Sequence, residues 1–186
     1  MQRRVVITGI GVVSPLGLDV PSFWHQLASG ASGIAPITAF DASEFQTQFA
    51  GEVRGFDPAD YMERKEARRT DRFVQLAVAA TREALSHAQF EITPANAEHV
   101  GVFLGSGIGG LHTLTTQHEV LLNRGPSRVS PFLVPAMITN MAAGLVSILY
   151  GARGPNLCTT SACASSAHAI GEAAETIRRG WAQVML

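Results

Sequence analysis

Apolar positions follow two different spacings along the chain, and each spacing predicts one kind of element. Short, nearly continuous apolar runs indicate strands at 5–8, 99–104 and 184–186. The short, β-prone segment 156–160 indicates another strand, and a short strand is expected at 51–54 within an otherwise irregular stretch. Apolar positions at helical spacing indicate helices at 21–27, 71–88, 111–122, 133–149 and 164–179. Because strands and helices alternate, the sequence predicts an α/β fold with a mostly parallel, largely buried sheet and helices on both faces.

Two of these helices carry more specific expectations. The helix 71–88 is predicted to place on one side the apolar residues Phe73, Leu76, Ala77, Ala80, Ala84 and Leu85. The stretch 132–150 is about as long as a membrane-spanning helix. Pro135, Thr139 and Asn140 interrupt its apolar character, so a buried helix of an α/β protein explains it better.

Composition narrows the class of protein. At 186 residues, with 46% hydrophobic and 16% charged residues, the chain can bury a sizeable core in one domain. A net charge of −1 gives no basis for nucleic-acid binding. The two cysteines, Cys158 and Cys163, show neither a metal-site spacing nor a disulfide framework. With no leader-like segment before Val5, we expect a cytoplasmic protein that carries no membrane segment and binds no metal.

Cys163 is the strongest candidate for chemistry. It lies between a predicted strand and an alanine-rich helix, where unpaired N–H groups and the helix dipole favour a thiolate. Its small neighbours, Ala162 and Ala164 among them, leave room for a substrate to reach the sulfur. The position suits acyl transfer through a thioester. A buried structural cysteine is an equally good explanation from local chemistry alone.

The segment 105–110 has the pattern of a dinucleotide-binding loop, Gly-x-Gly-x-x-Gly after a strand and before a helix. Ribose binding also requires an acidic residue about twenty positions further on, at the end of a following strand. That place holds Gly125, Pro126 and Ser127, so we discount nucleotide binding. The glycines are equally explained by a tight strand-to-helix turn.

A basic cluster interrupts the otherwise balanced charge. It consists of Arg64, Lys65, Arg68 and Arg69. A solvated helix face is the usual explanation for such a run, and the alternative is a docking patch for an acidic partner.

Several ordered motifs resemble those of β-ketoacyl-acyl carrier protein synthases, most closely the type II enzymes that elongate fatty acids. The nucleophile motif is matched from Gly154 to Gly171, with Ala162-Cys163-Ala164-Ser165-Ser166 at its centre. Further matches lie at 4–11, 14–17, 64–66, 71–73, 105–110, 130–132 and 150–155, so the resemblance covers essentially the whole chain. It implies a thiolase-like layered α/β fold.

The resemblance also implies a function and its residues. Cys163 would be the nucleophile of a decarboxylative condensation between an acyl chain and malonyl-acyl carrier protein, with no cofactor. The basic cluster would bind the acidic carrier protein. Ile108 would help to set acyl chain length, in a pocket with Gly107, Leu111, Leu133, Val134 and Ala162. Related enzymes are homodimers, and the helix 133–149 is a candidate for the interface.

The histidines set a limit on this function. His168 follows Cys163 by five residues on one helix, too far to act as its base, so we expect a packed or hydrogen-bonded core histidine. The family's two catalytic histidines, in Asn-Ala-His-Gly-Thr and Thr-Gly-His segments, and its lysine are not in this sequence. The chain ends 23 residues after Cys163 (186 minus 163), so residues 1–186 are expected to form the N-terminal half of a synthase. Alternatives are a polyketide-type ketosynthase and a noncatalytic truncated member that only dimerises or binds carrier protein.

Overall fold

The computed structural model describes residues 3–186. Its helices are α1 (Val20–Ala28), α2 (Arg64–Ala67), α3 (Arg72–Ala88), α4 (Leu111–Arg124), α5 (Leu133–Met137), α6 (Met141–Tyr150) and α7 (Ser165–Arg178). Its strands are β1 (Ile34–Pro36), β2 (Phe49–Gly51), β3 (Val100–Gly105), β4 (Asn156–Thr159) and β5 (Val184–Met185). Most predicted helices and strands are therefore confirmed, although β2 ends where the predicted strand 51–54 begins.

Two separate sheets form among the described residues. Strands β4, β3 and β5 make a parallel sheet with β3 in the centre, in which Leu104 lies opposite Cys158. Strands β1 and β2 form a small antiparallel pair. Hydrogen bonds from the side chain and backbone of Thr38 and from the backbone of Ala39 lower the pKa of Glu52, just after β2, to about 2. This carboxylate thereby ties the two arms of the pair together.

The parallel sheet is covered on both faces, as predicted. Val100 and Val102 point to one face, where they pack with residues of α3 and α6 in a core of almost fully buried side chains. Gly105 belongs to the alternate set of β3 positions and meets the start of α7, because a Cβ atom there would lie 2.4 Å from the backbone of Ser165. Helix α7 is thus held directly against the central strand.

The predicted strand at 5–8 is wrong. Val6 and Ile7 are 62% and 80% exposed, and no described strand lies beside them. A strand needs a neighbour that accepts and donates backbone hydrogen bonds, whereas this segment leads into a contact with a helix. A Cβ atom on Gly11 would lie 1.9 Å from the backbone oxygen of Ala80, so this close approach to α3 requires glycine.

The predicted buried face of α3 is only partly right. The buried side chains of α3 are Val74, Val78, Ala79 and Thr81, none of which was predicted. Phe73 and Ala77, from the predicted stripe, are partly buried and pack against the core. Two other residues of the predicted stripe instead contact the N-terminal segment: the backbone of Ala80 lies against Gly11 and that of Ala84 against Gly9. Glu83 fixes that segment by accepting hydrogen bonds from the backbone N–H groups of Val12 and Val20. Helix α3 therefore packs on two sides, and its small residues serve the second one.

The single helix predicted at 133–149 is also wrong. Ile138 has an extended backbone, with ψ of 140°, which ends α5, and α6 begins three residues later at Met141. The polar residues Thr139 and Asn140 occupy the break. The core-facing residues of α6 are Ala142, Ala143, Leu145 and Val146, so the burial predicted for this part is confirmed.

Within residues 3–186, no helix is long and apolar enough to cross a membrane.

Candidate functional site

Cys163 lies in a tight turn that connects the parallel sheet to α7. Strand β4 ends at Thr159, a short 3₁₀ turn spans Ala162–Ala164, and α7 begins at Ser165. The Cys163 side chain is exposed, whereas Cys158 is half-buried within β4. The predicted position at the start of the helix is therefore right, two residues before the first α-helical residue.

The backbone of this turn is strained at Ala162. Its φ angle is +50°, in the left-handed region that residues with a Cβ atom rarely adopt. The backbone N–H of Ala164 donates to the carbonyl of Ser161 at 3.1 Å, which closes the turn around Cys163. The strain presents the thiol on the outside of a sharp bend.

The glycine loop, defined as residues 105–110, adjoins this turn. A Cβ atom on Gly107 would lie 3.6 Å from the Cα atom of Ala162, so two members of the predicted acyl pocket are neighbours. The backbone N–H of Gly110 donates to the carbonyl of Met137 at 2.9 Å, which places α5 against the other end of the loop. The structure therefore brings the loop, the cysteine turn and α5 together.

The apolar side chains of this region lie at the surface of the described chain. Ile108 is 69% exposed, Leu111 50% and Val134 60%, while Leu133 is half-buried. Such a group of large exposed apolar side chains is characteristic of a binding surface. That these residues form an acyl pocket stays a prediction.

The basic cluster occupies α2 and the residues that follow it. Arg64, Lys65 and Arg68 are exposed, whereas Arg69 is half-buried with its guanidinium 4.4 Å from the centre of the Phe132 ring. A cavity of about 200 Å³ lies beside the cluster and is lined by Arg68, Arg69, Thr70, His112, Thr113, Thr116, Gln117, Ser130, Phe132 and Ala136. The cluster is thus a positively charged surface next to a polar depression.

Asp71 is a residue that the sequence reasoning missed as part of the site. Its carboxylate is 7% exposed and accepts hydrogen bonds from the backbone N–H of Phe73, which caps α3, and from both the N–H and the hydroxyl of Thr113 in α4. One side chain therefore joins the start of α3 to the start of α4, between the basic cluster and the glycine loop. An aspartate at the first position of the predicted helix 71–88 was the available signal, because aspartate is a preferred N-cap.

His168 is hydrogen-bonded, as one alternative predicted, but it is not in the core. Its side chain is exposed and its Nδ1 atom lies 2.6 Å from the hydroxyl oxygen of Ser161. Position 168 is on the outer side of the first turn of α7, which explains the exposure.

In the part of the chain that the structure describes, no group of three or more His, Cys, Asp or Glu side chains is arranged to hold a metal ion.

Comparison with known proteins adds the family. Residues 2–186 match the family described as "Beta-ketoacyl synthase, N-terminal domain". The chain is 47% identical over 185 residues to the 3-oxoacyl-acyl-carrier-protein synthase 2 of Synechocystis sp., and 49% identical to the protein of the same name from Coxiella burnetii. All of this chain is covered, but only 44% and 45% of those relatives, so the chain spans less than half of their length.

Solved structures agree with the fold. A beta-ketoacyl synthase from Burkholderia phymatum matches with a TM-score of 0.84 at 31% identity, covering 100% of this chain and 46% of that one. Another match is a chain in the structure described as a type II PKS acyl-carrier protein in complex with its ketosynthase bound to the hexaketide. Its TM-score is 0.84 at 25% identity, and the match covers 97% of this chain and 48% of that one. The predicted thiolase-like α/β fold is confirmed. The chain belongs to the β-ketoacyl synthase family, whose N-terminal domain it matches.

Proposed function

We propose that this chain provides the acyl-accepting half of a 3-oxoacyl-acyl-carrier-protein synthase of fatty acid elongation. The observation that carries the proposal is the exposed Cys163 in the strained turn before α7. The proposal is supported by identities of 47% and 49%, over the whole chain, with two proteins named 3-oxoacyl-acyl-carrier-protein synthase 2. On this proposal, residues 1–186 are the N-terminal part of one ketosynthase domain.

In the acyl-transfer step, the Cys163 thiolate attacks the carbonyl carbon of an acyl thioester on the carrier protein. A new sulfur–carbon bond forms and the carrier's own sulfur–carbon bond breaks. The carrier sulfur leaves as a thiolate, which takes up the proton that the Cys163 thiol gave up. Cys163 lies in the first turn of a helical segment, where backbone N–H groups have no partner within the helix. Its own N–H can therefore donate to the oxygen that becomes negative during the attack.

The second half of the reaction is a decarboxylative condensation with malonyl-acyl carrier protein. Loss of carbon dioxide leaves a carbanion that attacks the carbonyl carbon of the acyl-Cys163 thioester. A carbon–carbon bond forms, the sulfur–carbon bond to Cys163 breaks and frees its thiolate, and a 3-oxoacyl thioester two carbons longer remains on the carrier protein. Hydrogen-bond donors must stabilise the developing charge on the malonyl thioester. By family resemblance these donors are two histidines in segments outside residues 1–186, so we assign only acyl transfer to the described residues.

Carrier-protein binding belongs to the basic cluster on this proposal. Arg64, Lys65 and Arg68 are exposed on one short helix and the residue after it, and Arg68 also lines the cavity beside Phe132. A concentrated positive surface attracts an acidic protein and raises its association rate. A ketosynthase of similar structure forms a complex with its acyl-carrier protein, which supports the same class of partner here.

We also propose a homodimer, with α5 and α6 as the candidate interface. Val134, Ile148 and Leu149 are 60%, 72% and 43% exposed, which leaves apolar surface on both helices. Burial of such side chains against a second copy would be favourable.

A polyketide-type ketosynthase is the second candidate. One such enzyme shares the fold, but its identity of 25% is well below the 47% and 49% found with the two 3-oxoacyl-acyl-carrier-protein synthases. The higher identity favours fatty acid elongation.

The test is acyl transfer to the protein itself. Purified protein is incubated with acyl-loaded carrier protein, and the modified peptide is identified by mass spectrometry. We expect the acyl group on Cys163, its loss in Cys163→Ala and its retention in the matched variant Cys158→Ala. Acylation of Cys158, or acylation that survives Cys163→Ala, contradicts the proposal.

A further inference from the structure

The turn around Cys163 contains a hydrogen-bond network made by side chains that acyl transfer does not otherwise use. Ser165, the first residue of α7, is only 3% exposed. Its hydroxyl oxygen accepts from the backbone N–H of Ser161 at 2.9 Å and its proton is donated to the carbonyl of Ala162 at 2.7 Å. One hydroxyl therefore bonds the backbone on both sides of the strained residue.

A strained backbone persists only where its surroundings determine it more strongly than its own preference. Ala162 has a Cβ atom, so its φ of +50° is unfavourable without such support. The two bonds of Ser165 hold the amide of Ser161 and the carbonyl of Ala162 in that conformation. The same two groups flank the peptide that turns the chain toward Cys163.

Two further contacts hold Ser165 and Ser161 in place. The hydroxyl of Thr159, at the end of β4, donates to the carbonyl of Ser165 at 2.7 Å and ties the helix start to the sheet. The hydroxyl of Ser161 shares a hydrogen bond of 2.6 Å with Nδ1 of His168, which lies almost one turn further along α7. Ser161 is thus held through its backbone by Ser165 and through its side chain by His168.

We propose that Ser165 is a positioning residue for Cys163, supported by the Ser161–His168 pair. It fixes the left-handed conformation of Ala162 and so aims the thiol and its backbone N–H at the same incoming carbonyl. This inference rests on the proposed function, because it takes Cys163 as the nucleophile.

The experiment compares two reactions of Cys163 in the same chain. Acylation by a small acyl thioester of N-acetylcysteamine needs both the thiol and the aligned N–H, whereas alkylation by iodoacetamide needs only an accessible thiol. For Ser165→Ala we expect acylation to fall about tenfold, as for a displaced oxyanion donor, with alkylation little changed. The matched control is Ser166→Ala, which removes an exposed hydroxyl from the next position and leaves both rates unchanged.

A second substitution distinguishes positioning from general stability. Glycine adopts positive φ angles without a Cβ penalty, so Ala162→Gly added to Ser165→Ala should restore most of the acylation rate. His168→Ala should lower acylation, and His168→Gln, which can still bond Ser161, should restore part of it. The proposal is overturned if acylation and alkylation change in proportion, as in partial unfolding, or if Ala162→Gly restores nothing.

The experiment separates a failure of this inference from a failure of the proposed function. If the unmodified chain is not acylated at all, the proposed function fails, and amide hydrogen exchange of Ser161 then decides the positioning role. We expect that amide to be protected in the unmodified chain and in Ser166→Ala, and to exchange faster in Ser165→Ala. Equal exchange in all three overturns the role of Ser165.

Discussion

Replacing Asp71 with alanine should destabilise the chain by about 3 kcal/mol, because one buried carboxylate joins two helices. Its bonds to the N–H and hydroxyl of Thr113 measure 2.9 and 2.7 Å, and each bond to a charged acceptor contributes about 1.5 kcal/mol. Its bond to the N–H of Phe73 is longer, at 3.4 Å, so the cap adds about 0.5 kcal/mol, the low end of its range. Relief of the buried charge offsets a small part of this cost.

Urea unfolding followed by circular dichroism measures the change in the free energy of unfolding. Thr113→Val is the matched variant, since it keeps the shape of the side chain and removes only the hydroxyl bond, at a cost of about 1.5 kcal/mol. In a double-mutant cycle the two changes should couple by about the same amount, because the hydroxyl has no carboxylate to bond once Asp71 is gone. A loss below about 1 kcal/mol for Asp71→Ala, or simple additivity of the two changes, would refute this account of the Asp71 hydrogen bonds.

Two further predictions concern binding. Reversing Arg64 and Arg68 to glutamate should lower the association rate with acyl carrier protein by about tenfold or more at low salt, and the difference should shrink as salt increases. Stopped-flow fluorescence measures the association rate, and the matched control reverses the exposed Arg153 and Arg179 to glutamate. An equal effect of the control would mean that the basic cluster is only a solvated helix face. Replacing Ile108 with phenylalanine should slow acylation of Cys163 by long acyl thioesters more than by short ones, because a larger side chain occupies the space of the acyl chain's end. Ile34→Phe, at an isoleucine of β1 that is 56% exposed, is the control, and equal slowing at all chain lengths would contradict the role of Ile108.

The local sequence pattern was sufficient to predict those helices and strands whose signals lie within a few neighbouring residues. The start of α3 is encoded by Asp71, and the end of α1 is followed by Gly30 with a φ of +75°, which glycine adopts freely. The strand before Cys163 and the alanine-rich helix after it were likewise predictable, since the first segment is β-prone and the second has apolar positions at helical spacing. The sequence thereby placed the cysteine at the start of a helix, and its motifs indicated the family before any coordinates.

Tertiary contacts decided what local pattern left open. Residues 5–8 have the composition of a strand, but strand pairing depends on a partner, and the described neighbour of the segment that follows is α3. The faces of α3 were misjudged because both are apolar, and only packing shows which one meets the core.

The conformation of the cysteine turn was the hardest feature to foresee. A positive φ is commonly signalled by glycine, yet position 162 is alanine, and no rule of sequence marks it. Its conformation depends on the hydroxyl of Ser165 and on the sheet beside it, contacts that exist only once β3, β4 and α7 have packed together. The sequence by itself determined which residue is the candidate nucleophile and that it lies between a strand and a helix. The tertiary structure decided how that residue is presented, because backbone strain is sustained only by surroundings that are already folded.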